Sequence, residues 1–317
     1  MGIPVDRYYA SETDKFAIRQ TMSVFPNTIQ LGDIRNIRAA DLEKIDLFIG
    51  GSPCQGFSFA GKRLSFDDPR SVLFFEYARL WNEIKAINPK AKFLLENVKM
   101  KKRDLGVISD FMGLFPVYIN SSLVSAQNRN RYYWTNFRTK KVGLFNEVWT
   151  DIPQPEDRQQ YLIHILQPES EVDKKYHLSQ KMVDHLLKWG KRNKDKGNNF
   201  KAEIRGLWEK STPLATGCDK STSTYIKMNL KGQPKPNQDK ASCFTAGAHT
   251  GGNHSDMDVI FREGNLRRLT PFESQLLQTV PEWYEWVVSN TQIYKMLGNG
   301  WTVEVIMWIF GFMDNIS

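Results

Sequence analysis

Short apolar runs alternate with helical ones along the first 140 residues, and this order constrains the fold more than any other feature of the chain. DLFIGG and KFLLENV are continuous apolar runs, which is typical of buried parallel strands. Between them, apolar residues recur at helical spacing until Pro89 ends the run: Phe74, Ala78, Trp81 and Ile84. A strand, a crossover helix and a second strand predict an α/β fold whose parallel sheet is covered by helices.

The alternation predicts further elements on both sides of this unit. Helices are predicted in DKFAIRQTMSVFP and ISDFMGLF, and strands in VDRYYASE, TIQLGDI, PVYINSSLV and RYYWTNF. From about residue 141 to residue 263 the chain is rich in Lys, Asn, Gly and Pro, with few periodic apolar runs. We therefore expect one domain from residues 1–140 and 264–317 and a smaller one from 141–263. The apolar segment TVEVIMWIFGFM is predicted to pack back on the first sheet.

The positive charge of the chain is concentrated in one segment. The net charge is +8, and the segment Lys174 to Lys240 alone has a surplus of ten basic residues over acidic ones. A localised basic segment is typical of proteins that bind polyanions, although lysine-rich solvated surfaces are also common. Hydrophobic residues at 41% and charged residues at 25% exclude a disordered chain.

Other classes of protein are excluded by what the sequence lacks. No apolar run approaches the roughly 18 residues of a membrane span, and the first residues hold no apolar signal region. The three cysteines are too scattered for a disulfide framework, so any that matters is expected to act as a thiol. We expect a cytoplasmic protein that is monomeric and does not contact a membrane.

The strongest candidate site is GGSPCQGFSFAG, which directly follows the predicted strand DLFIGG. Cys54 in this loop lies past the carboxyl end of a strand, where doubly wound sheets bind their ligands. Glu96 and Asn97 end KFLLENV at the same edge, so a nucleophilic thiol and a carboxyl group are predicted to converge there. The alternatives are a buried cysteine in a turn and a carboxylate that caps a helix or forms a salt bridge.

A pair of arginines forms the second candidate feature. In SAQNRNRYYW, Arg129 and Arg131 alternate along a predicted short strand, so both are expected to project from one face. Two guanidinium groups on one face suit a phosphate or a carbonyl oxygen.

Together, five blocks of the sequence resemble the DNA cytosine C5-methyltransferase family in their order and approximate spacing. They are PCQ at 53–55, ENV at 96–98, Q-x-R-x-R at 127–131, RRLTPFE at 267–273 and GNG at 298–300. The resemblance implies a Rossmann-like, S-adenosylmethionine-dependent methyltransferase sheet, with residues 141–263 as the target-recognition domain. HTGGNHSDMD is similar to the end of that domain in phage and bacterial members, some of which serve restriction-modification systems.

The resemblance also implies a reaction and roles for the residues. Cys54 would add to carbon 6 of a cytosine flipped out of duplex DNA, so that carbon 5 can attack the methyl group. Glu96 would neutralise the charge that develops at N3, while Arg131 would hold the O2 atom and Arg129 would support the site. Residues implied to contact DNA are Gln55, Ser58, Lys62, Arg63 and Gln127.

The implied methyl donor is S-adenosylmethionine, and four residues match family positions that bind it. Glu12 matches the acidic residue that binds the ribose hydroxyls, and Asp33 the residue that accepts from the adenine amino group. Pro53 and Asn299 would line the methionine end. No metal is expected.

One departure from the family pattern affects the start of the sheet. The family begins with a strand and a glycine-rich turn of the type F-x-G-x-G, and MGIPVDRYYASE matches the entry to the second strand instead. Three explanations fit: a coding start assigned to an internal Met, a partner polypeptide that provides the strand, or a non-catalytic relic that still binds DNA. The strand would be central and next to that preceding Cys54, so the chain alone is expected to be weakly stable and to bind the cofactor poorly.

Functions other than methyl transfer have weaker support in the sequence. Cys243, His249 and His254 could ligate a metal, but no second pair completes a tetrahedral site. A thiol hydrolase would need a histidine base, and all five histidines lie between His164 and His254, outside the blocks. A DNA-binding module without catalysis remains as an alternative. RNA is the other possible substrate, and the long variable segment favours sequence-specific duplex DNA over it.

Overall fold

The computed structural model of the protein describes residues 1–51, 72–179, 181, 259–262 and 265–313. The chain forms two compact units, the first from residues 1–119, 130–154 and 307–317 and the second from residues 120–129 and 155–306. The described α-helices are α1 (Lys15–Val24), α2 (Val72–Ile87), α3 (Lys102–Met112), α4 (Pro271–Leu277), α5 (Asn290–Asn299) and α6 (Val303–Phe310). The described strands are β1 (Tyr9–Ala10), β2 (Ile29–Gln30), β3 (Leu47–Gly51), β4 (Lys92–Val98), β5 (Val117–Asn120), β6 (Asn130–Thr135), β7 (Thr139–Val142), β8 (Glu147–Thr150), β9 (Val259–Arg262) and β10 (Asn265–Arg268).

A four-stranded sheet in the order β3-β4-β6-β5 organises the first unit. β3 and β4 are parallel, as the crossover through α2 predicts, and Gly51 pairs with Glu96. β6 runs antiparallel to β4, with Val98 opposite Arg131. Residues 121–129 between β5 and β6 contain no α-helix and are too few for a parallel crossover, so the sheet is mixed rather than wholly parallel. The predicted α/β class is confirmed.

Helix α2 packs on this sheet through the apolar stripe that the sequence predicts. All four residues of the stripe are buried: Phe74, Ala78, Trp81 and Ile84. The Trp81 ring lies against Phe93 of β4, with 4.7 Å between the ring centroids. The buried Tyr77 hydroxyl donates to the carbonyl of Leu94 at 3.2 Å, and burial raises the pKa of Tyr77 well above its ordinary value. Helix α2 therefore holds β4 in place through contacts at Phe93 and Leu94, which precede the carboxyl end of that strand.

A second, two-stranded sheet lies at the start of the chain. β1 and β2 pair in parallel, with Ala10 opposite Gln30, and α1 connects them. Asp14 caps α1 by accepting a hydrogen bond from the Phe16 amide at 2.9 Å, which confirms the helix predicted in DKFAIRQTMSVFP. Within the described ranges, β1 pairs only with β2 and β3 only with β4, so each of β1 and β3 has one unpaired edge.

The second unit has its own apolar core, built mainly by α4 and α5. Its buried residues are Ala126, Leu162, Leu269, Leu277, Ile293, Tyr294 and Leu297. A buried ion network adjoins the start of α4, where Arg267 donates to both carboxylate oxygens of Glu273 at 2.9 and 2.8 Å and to Glu169 at 3.0 Å. Glu273 also completes a capping box with Thr270. The RRLTPFE block thus joins β10 to α4 and fixes where this helix begins.

The boundaries of the compact units differ from those expected at residues 141 and 264. The β7–β8 hairpin belongs to the first unit, and residues 264–306 belong to the second, because the apolar faces of α4 and α5 form a core with Leu162. The end of TVEVIMWIFGFM packs in the first unit as predicted, where Phe310 contacts Phe137 with 5.5 Å between ring centroids. Residues 182–258, which hold most of the basic segment, lie outside the described residues, and the target-recognition role of 141–263 stays a prediction.

Two classes of feature are absent from the described part of the chain. No helix there is long and apolar enough to cross a membrane. No group of three or more metal-ligating side chains occurs among the same residues. The candidate metal ligands Cys243, His249 and His254 lie outside the described residues.

Candidate active site

The edge of the sheet at the end of β3 and β4 is the centre of the candidate site. Gly51, the last residue of β3, pairs with Glu96 near the end of β4. Cys54 follows Gly51 by three positions and lies outside the described residues, as do four of the predicted DNA contacts and one predicted cofactor contact. These five are Gln55, Ser58, Lys62, Arg63 and Pro53. The convergence of Cys54 with Glu96 stays a prediction, while the parallel pairing on which it depends is confirmed.

The glycine at position 50 is explained by close packing beneath this edge. A Cβ atom on Gly50 would lie 2.8 Å from Cε2 of the Tyr77 ring, closer than real Cβ contacts allow. Tyr77 also stacks on Phe48, with 4.5 Å between ring centroids. Tyr77 is itself held by Leu94 of β4, so any side chain at position 50 would displace β3 from its neighbour.

Glu96 and Arg131 form a buried ion pair at the same edge. The Nε atom of Arg131 lies 2.6 Å from Oε1 of Glu96, and the two side chains are only 7% and 10% exposed respectively. The contact is a charge pair rather than a well-directed hydrogen bond. The sheet register explains it, because Val98 is opposite Arg131 and residues 96 and 98 share a face, which makes Glu96 and Arg131 diagonal neighbours.

Arg131 is further held by its own strand, because its Nη1 atom donates to the Asn130 carbonyl at 2.9 Å. The neighbouring Asn97 is 1% exposed, and its Oδ1 atom accepts a hydrogen bond from the Val98 amide at 2.8 Å. The guanidinium group is thus held by backbone, and both charged groups are largely removed from bulk water. Such a pair is suited to a ligand that has a hydrogen-bond acceptor beside a protonatable ring nitrogen.

Arg129 and Gln127 lie in the second unit, before β6 begins. Arg129 is 3% exposed, and its guanidinium donates to the carbonyls of Gly298 at 3.4 Å and Gly300 at 2.7 Å. Gln127 is fully buried. For the predicted contact with DNA, the residues around Gln127 would have to rearrange so that its side chain becomes exposed.

Two of the predicted cofactor residues follow the parallel strands β1 and β2. Glu12 Oε1 accepts hydrogen bonds from the amides of Thr13 and Asp14 at 2.7 and 2.8 Å. The Nε atom of Arg35 donates to both carboxylate oxygens of Asp33, each at 3.0 Å. These hydrogen bonds lower the pKa of Asp33 to about 2. Ser11 Oγ donates to the Gly32 carbonyl at 2.8 Å, so the two strand ends lie side by side.

These two carboxylates fit the ribose and adenine ends of the cofactor to different degrees. The hydrogen bonds described for Glu12 are at Oε1 alone, which fits a second oxygen facing ribose hydroxyls. Asp33 already accepts from Arg35 through both oxygens, so an adenine amino group would have to share it. Asn299 at the end of α5 is exposed, as a ligand-binding amide must be.

Sequence reasoning missed a buried polar network that supports the GNG block. Thr302 Oγ1 lies 2.8 Å from Ser121 Oγ and 3.0 Å from Gln278 Oε1. The amide of Gln278 in turn donates to the Leu297 carbonyl at 2.6 Å. Gln278 lies shortly after the RRLTPFE block and Thr302 shortly after GNG, which is a weak sequence signal. The contact between Thr302 and Ser121, 181 positions apart, has no sequence signal at all.

A comparison with protein families decides the family of the protein. The family model described as C-5 cytosine-specific DNA methylase matches residues 2–112 and 114–314 of the chain. The protein belongs to this family. The resemblance drawn from PCQ, ENV, Q-x-R-x-R, RRLTPFE and GNG is thereby confirmed, and the protein is a DNA cytosine-5 methyltransferase of an S-adenosylmethionine-dependent family.

Individual relatives agree with the family match. The methylase is 33% identical to the type II methyltransferase M1.ScrFI of Lactococcus lactis subsp. cremoris over 313 residues, which cover 95% of this chain and 70% of that protein. It is 32% identical to the type II methyltransferase M.HpaII of Haemophilus parainfluenzae, with 94% of this chain and 80% of that protein covered.

Solved structures confirm the fold of the methylase. The Entamoeba histolytica methyltransferase EhMeth is similar with a TM-score of 0.64 and 15% sequence identity, over 99% of this chain and 93% of that one. The S. pombe Dnmt2 methyltransferase gives a TM-score of 0.61 and 18% identity, over 98% and 91% of the two chains.

Proposed function

We propose that the protein methylates carbon 5 of cytosine within a specific sequence of duplex DNA, through a covalent adduct between Cys54 and carbon 6 of a flipped base. The observation that carries the proposal is the buried Glu96–Arg131 pair, which lies beside the strand end from which the chain continues to Cys54. A base inside a duplex has both faces stacked, so it has to leave the helix before a thiol can reach carbon 6.

The reaction needs a thiolate and a carboxyl group to act on one ring. The Cys54 thiolate forms a bond to carbon 6, which moves the electrons of the C5–C6 double bond to carbon 5 and increases the charge at N3. Glu96 stabilises that charge by hydrogen bonding or proton donation at N3, and Arg131 donates to O2. Carbon 5 then bonds to the methyl group, whose bond to the donor sulfur breaks, so that S-adenosylhomocysteine is the leaving group. Loss of the carbon 5 proton to a base and elimination of the Cys54 sulfur restore the C5–C6 double bond and the free thiolate.

The buried setting of Glu96 and Arg131 supports these roles. Both groups are oriented before the base arrives, and their low exposure keeps water from competing for the N3 and O2 atoms. The pair has one carboxylate and one guanidinium, which match a ring nitrogen and an adjacent carbonyl oxygen. A surface salt bridge such as that between Arg7 and Glu43 offers neither property, since its side chains are more than half exposed.

S-adenosylmethionine, when bound, supplies the electrophilic methyl group. In this chain Glu12 would bind the ribose hydroxyls, Asp33 the adenine amino group, and Pro53 and Asn299 the methionine end. The exposed Asn299 and the paired strand ends after β1 and β2 support this assignment.

The proposed function is tested by bisulfite sequencing of DNA from methylation-deficient cells that express the protein. We expect protected cytosines at a single sequence motif, and none in cells with an empty vector. If no cytosine in DNA is protected and 5-methylcytosine appears in cellular RNA instead, the protein is an RNA methyltransferase. Absence from both with this chain and with its form extended by the residues encoded in frame upstream, together with retained DNA binding, would identify a binding module without catalysis.

We also propose that full activity requires one further strand beside β3, from a preceding segment or from a partner polypeptide. β1 and β3 each have an unpaired edge within the described residues, and an edge of free backbone groups is a site for a pairing strand. All five residues of β3 are only partly buried or exposed, whereas six of the seven in β4 are buried. By resemblance, such a strand would carry the glycine-rich turn that holds the cofactor.

This strand requirement predicts the effect of extending the chain. Adding the residues encoded in frame upstream should increase the affinity for S-adenosylhomocysteine at least about tenfold, measured by isothermal titration calorimetry. An extension of equal length with a scrambled sequence is the control. Equal affinity of the two extended chains would exclude a preceding segment as the source of the strand.

A further inference from the structure

Helix α5 ends at Gly298 and Asn299 and is followed by Gly300, and a distant arginine is hydrogen-bonded to the backbone there. The last carbonyl groups of a helix have no intrahelical donors. At the end of α5, the guanidinium of Arg129 donates to the carbonyl of Gly298 at 3.4 Å and to that of Gly300 at 2.7 Å. These two carbonyls flank Asn299, so one side chain fixes the backbone on both sides of it.

The chemistry of Arg129 matches this arrangement. A guanidinium is a planar fork that can reach two acceptors at once, and a positive charge at a helix carboxyl end is stabilised by the helix dipole. Arg129 is 3% exposed, whereas Asn299 between its two acceptors is exposed. The buried residue therefore sets the direction in which the exposed amide is presented.

The turn leaves little freedom for another arrangement. The Gly300 amide donates to the Met296 carbonyl at 2.7 Å, and a Cβ atom on Gly300 would lie 3.0 Å from that same oxygen. On the far side, Gln278 holds both the Leu297 carbonyl at 2.6 Å and the Val303 amide at 3.0 Å. Asn299 thus lies in the segment 297–303, which Gln278 contacts at both ends. Arg129 contacts the same segment in its middle.

We propose that Arg129 is a positioning residue for Asn299, and that it acts on cofactor binding rather than on the cytosine. The inference rests on the proposed function, since it takes the methionine end of S-adenosylmethionine as the ligand of Asn299. The two arginines of the Q-x-R-x-R block then have separate tasks: Arg131 pairs with Glu96, and Arg129 holds the GNG turn.

The first test measures the turn itself and does not depend on any ligand. In Arg129→Lys, a lysine cannot span both carbonyls, so amide hydrogen exchange in the peptide covering residues 296–303 should become at least about tenfold faster. Arg131→Lys is the matched control and should leave that peptide unchanged. Unchanged exchange in Arg129→Lys would overturn the inference, whatever the protein binds.

The second test measures cofactor binding without DNA, by calorimetry with S-adenosylhomocysteine. Arg129→Lys and Asn299→Ala should each weaken binding about tenfold, and the double variant should bind no worse than Asn299→Ala alone, because Arg129 acts through Asn299. Arg131→Lys should bind within about twofold of the unsubstituted protein. Additive losses in the double variant, or normal binding by Arg129→Lys, would overturn the inference.

The two measurements separate this inference from the proposed function. Faster exchange together with no cofactor binding by the unsubstituted chain or by its extended form would reject the cofactor assignment of Asn299, and with it the claimed purpose of Arg129. Faster exchange with the predicted binding losses supports both.

Discussion

Cys54→Ser is expected to abolish the covalent adduct between the protein and DNA that contains 5-fluorocytosine at the target position. Fluorine at carbon 5 cannot leave as a proton does, so the reaction stops after methyl transfer with the sulfur still bonded to carbon 6. A serine hydroxyl is a far weaker nucleophile than a thiolate. The measurement is a shifted band on a denaturing gel, in the presence of cofactor.

The chain provides matched controls for this experiment. Cys218→Ser and Cys243→Ser remove the other two thiols, and both variants should form the adduct as the unsubstituted protein does. DNA binding of Cys54→Ser, measured by fluorescence anisotropy, should persist because the phosphate contacts are unchanged. An adduct that survives in Cys54→Ser and disappears in either control would move the nucleophile to another cysteine and reject the proposed chemistry.

The parts of the fold that the sequence predicts well are those governed by local periodicity. The stripe of α2 and the continuous apolar run of β4 each determine one element and its buried face, and both are confirmed. The parallel order of β3 and β4 follows from a crossover helix of sufficient length. As a result, the sequence predicts that the ends of β3 and β4 lie at one edge of the sheet, and the structure adds the register that pairs Gly51 with Glu96.

The parts that could not be predicted depend on contacts between distant residues. Residues 265–306 belong to the second compact unit because α4 and α5 share a core with Leu162, and the periodicity of these helices carries no sign of that contact. Arg129 was grouped with Arg131 because the two alternate in sequence, yet its acceptors are about 170 positions away. Spacing identifies residues that share a face of one strand, and it carries no information about which remote backbone will meet a side chain.

Glu96→Gln is expected to reduce the rate of methyl transfer by about 100- to 10,000-fold, the usual range for loss of a general acid. Glutamine has the same shape but cannot donate a proton to N3 or balance the charge of Arg131. The measurement is single-turnover transfer of a tritiated methyl group at saturating DNA and cofactor. Glu43→Gln is the control, because it removes a carboxylate from the exposed pair with Arg7 and should leave the rate unchanged.

Stability has to be measured on the same two variants, because Glu96 is also a partner in a buried ion pair. Removing one member of such a pair leaves an uncompensated charge, so Glu96→Gln should lower the free energy of unfolding by about 3 kcal/mol in urea titrations. Glu43→Gln should change it by less than about 1 kcal/mol. A Glu96→Gln protein that is less stable yet transfers methyl groups within about fivefold of the normal rate would show that the carboxyl group is structural, and that the charge at N3 is stabilised by another residue.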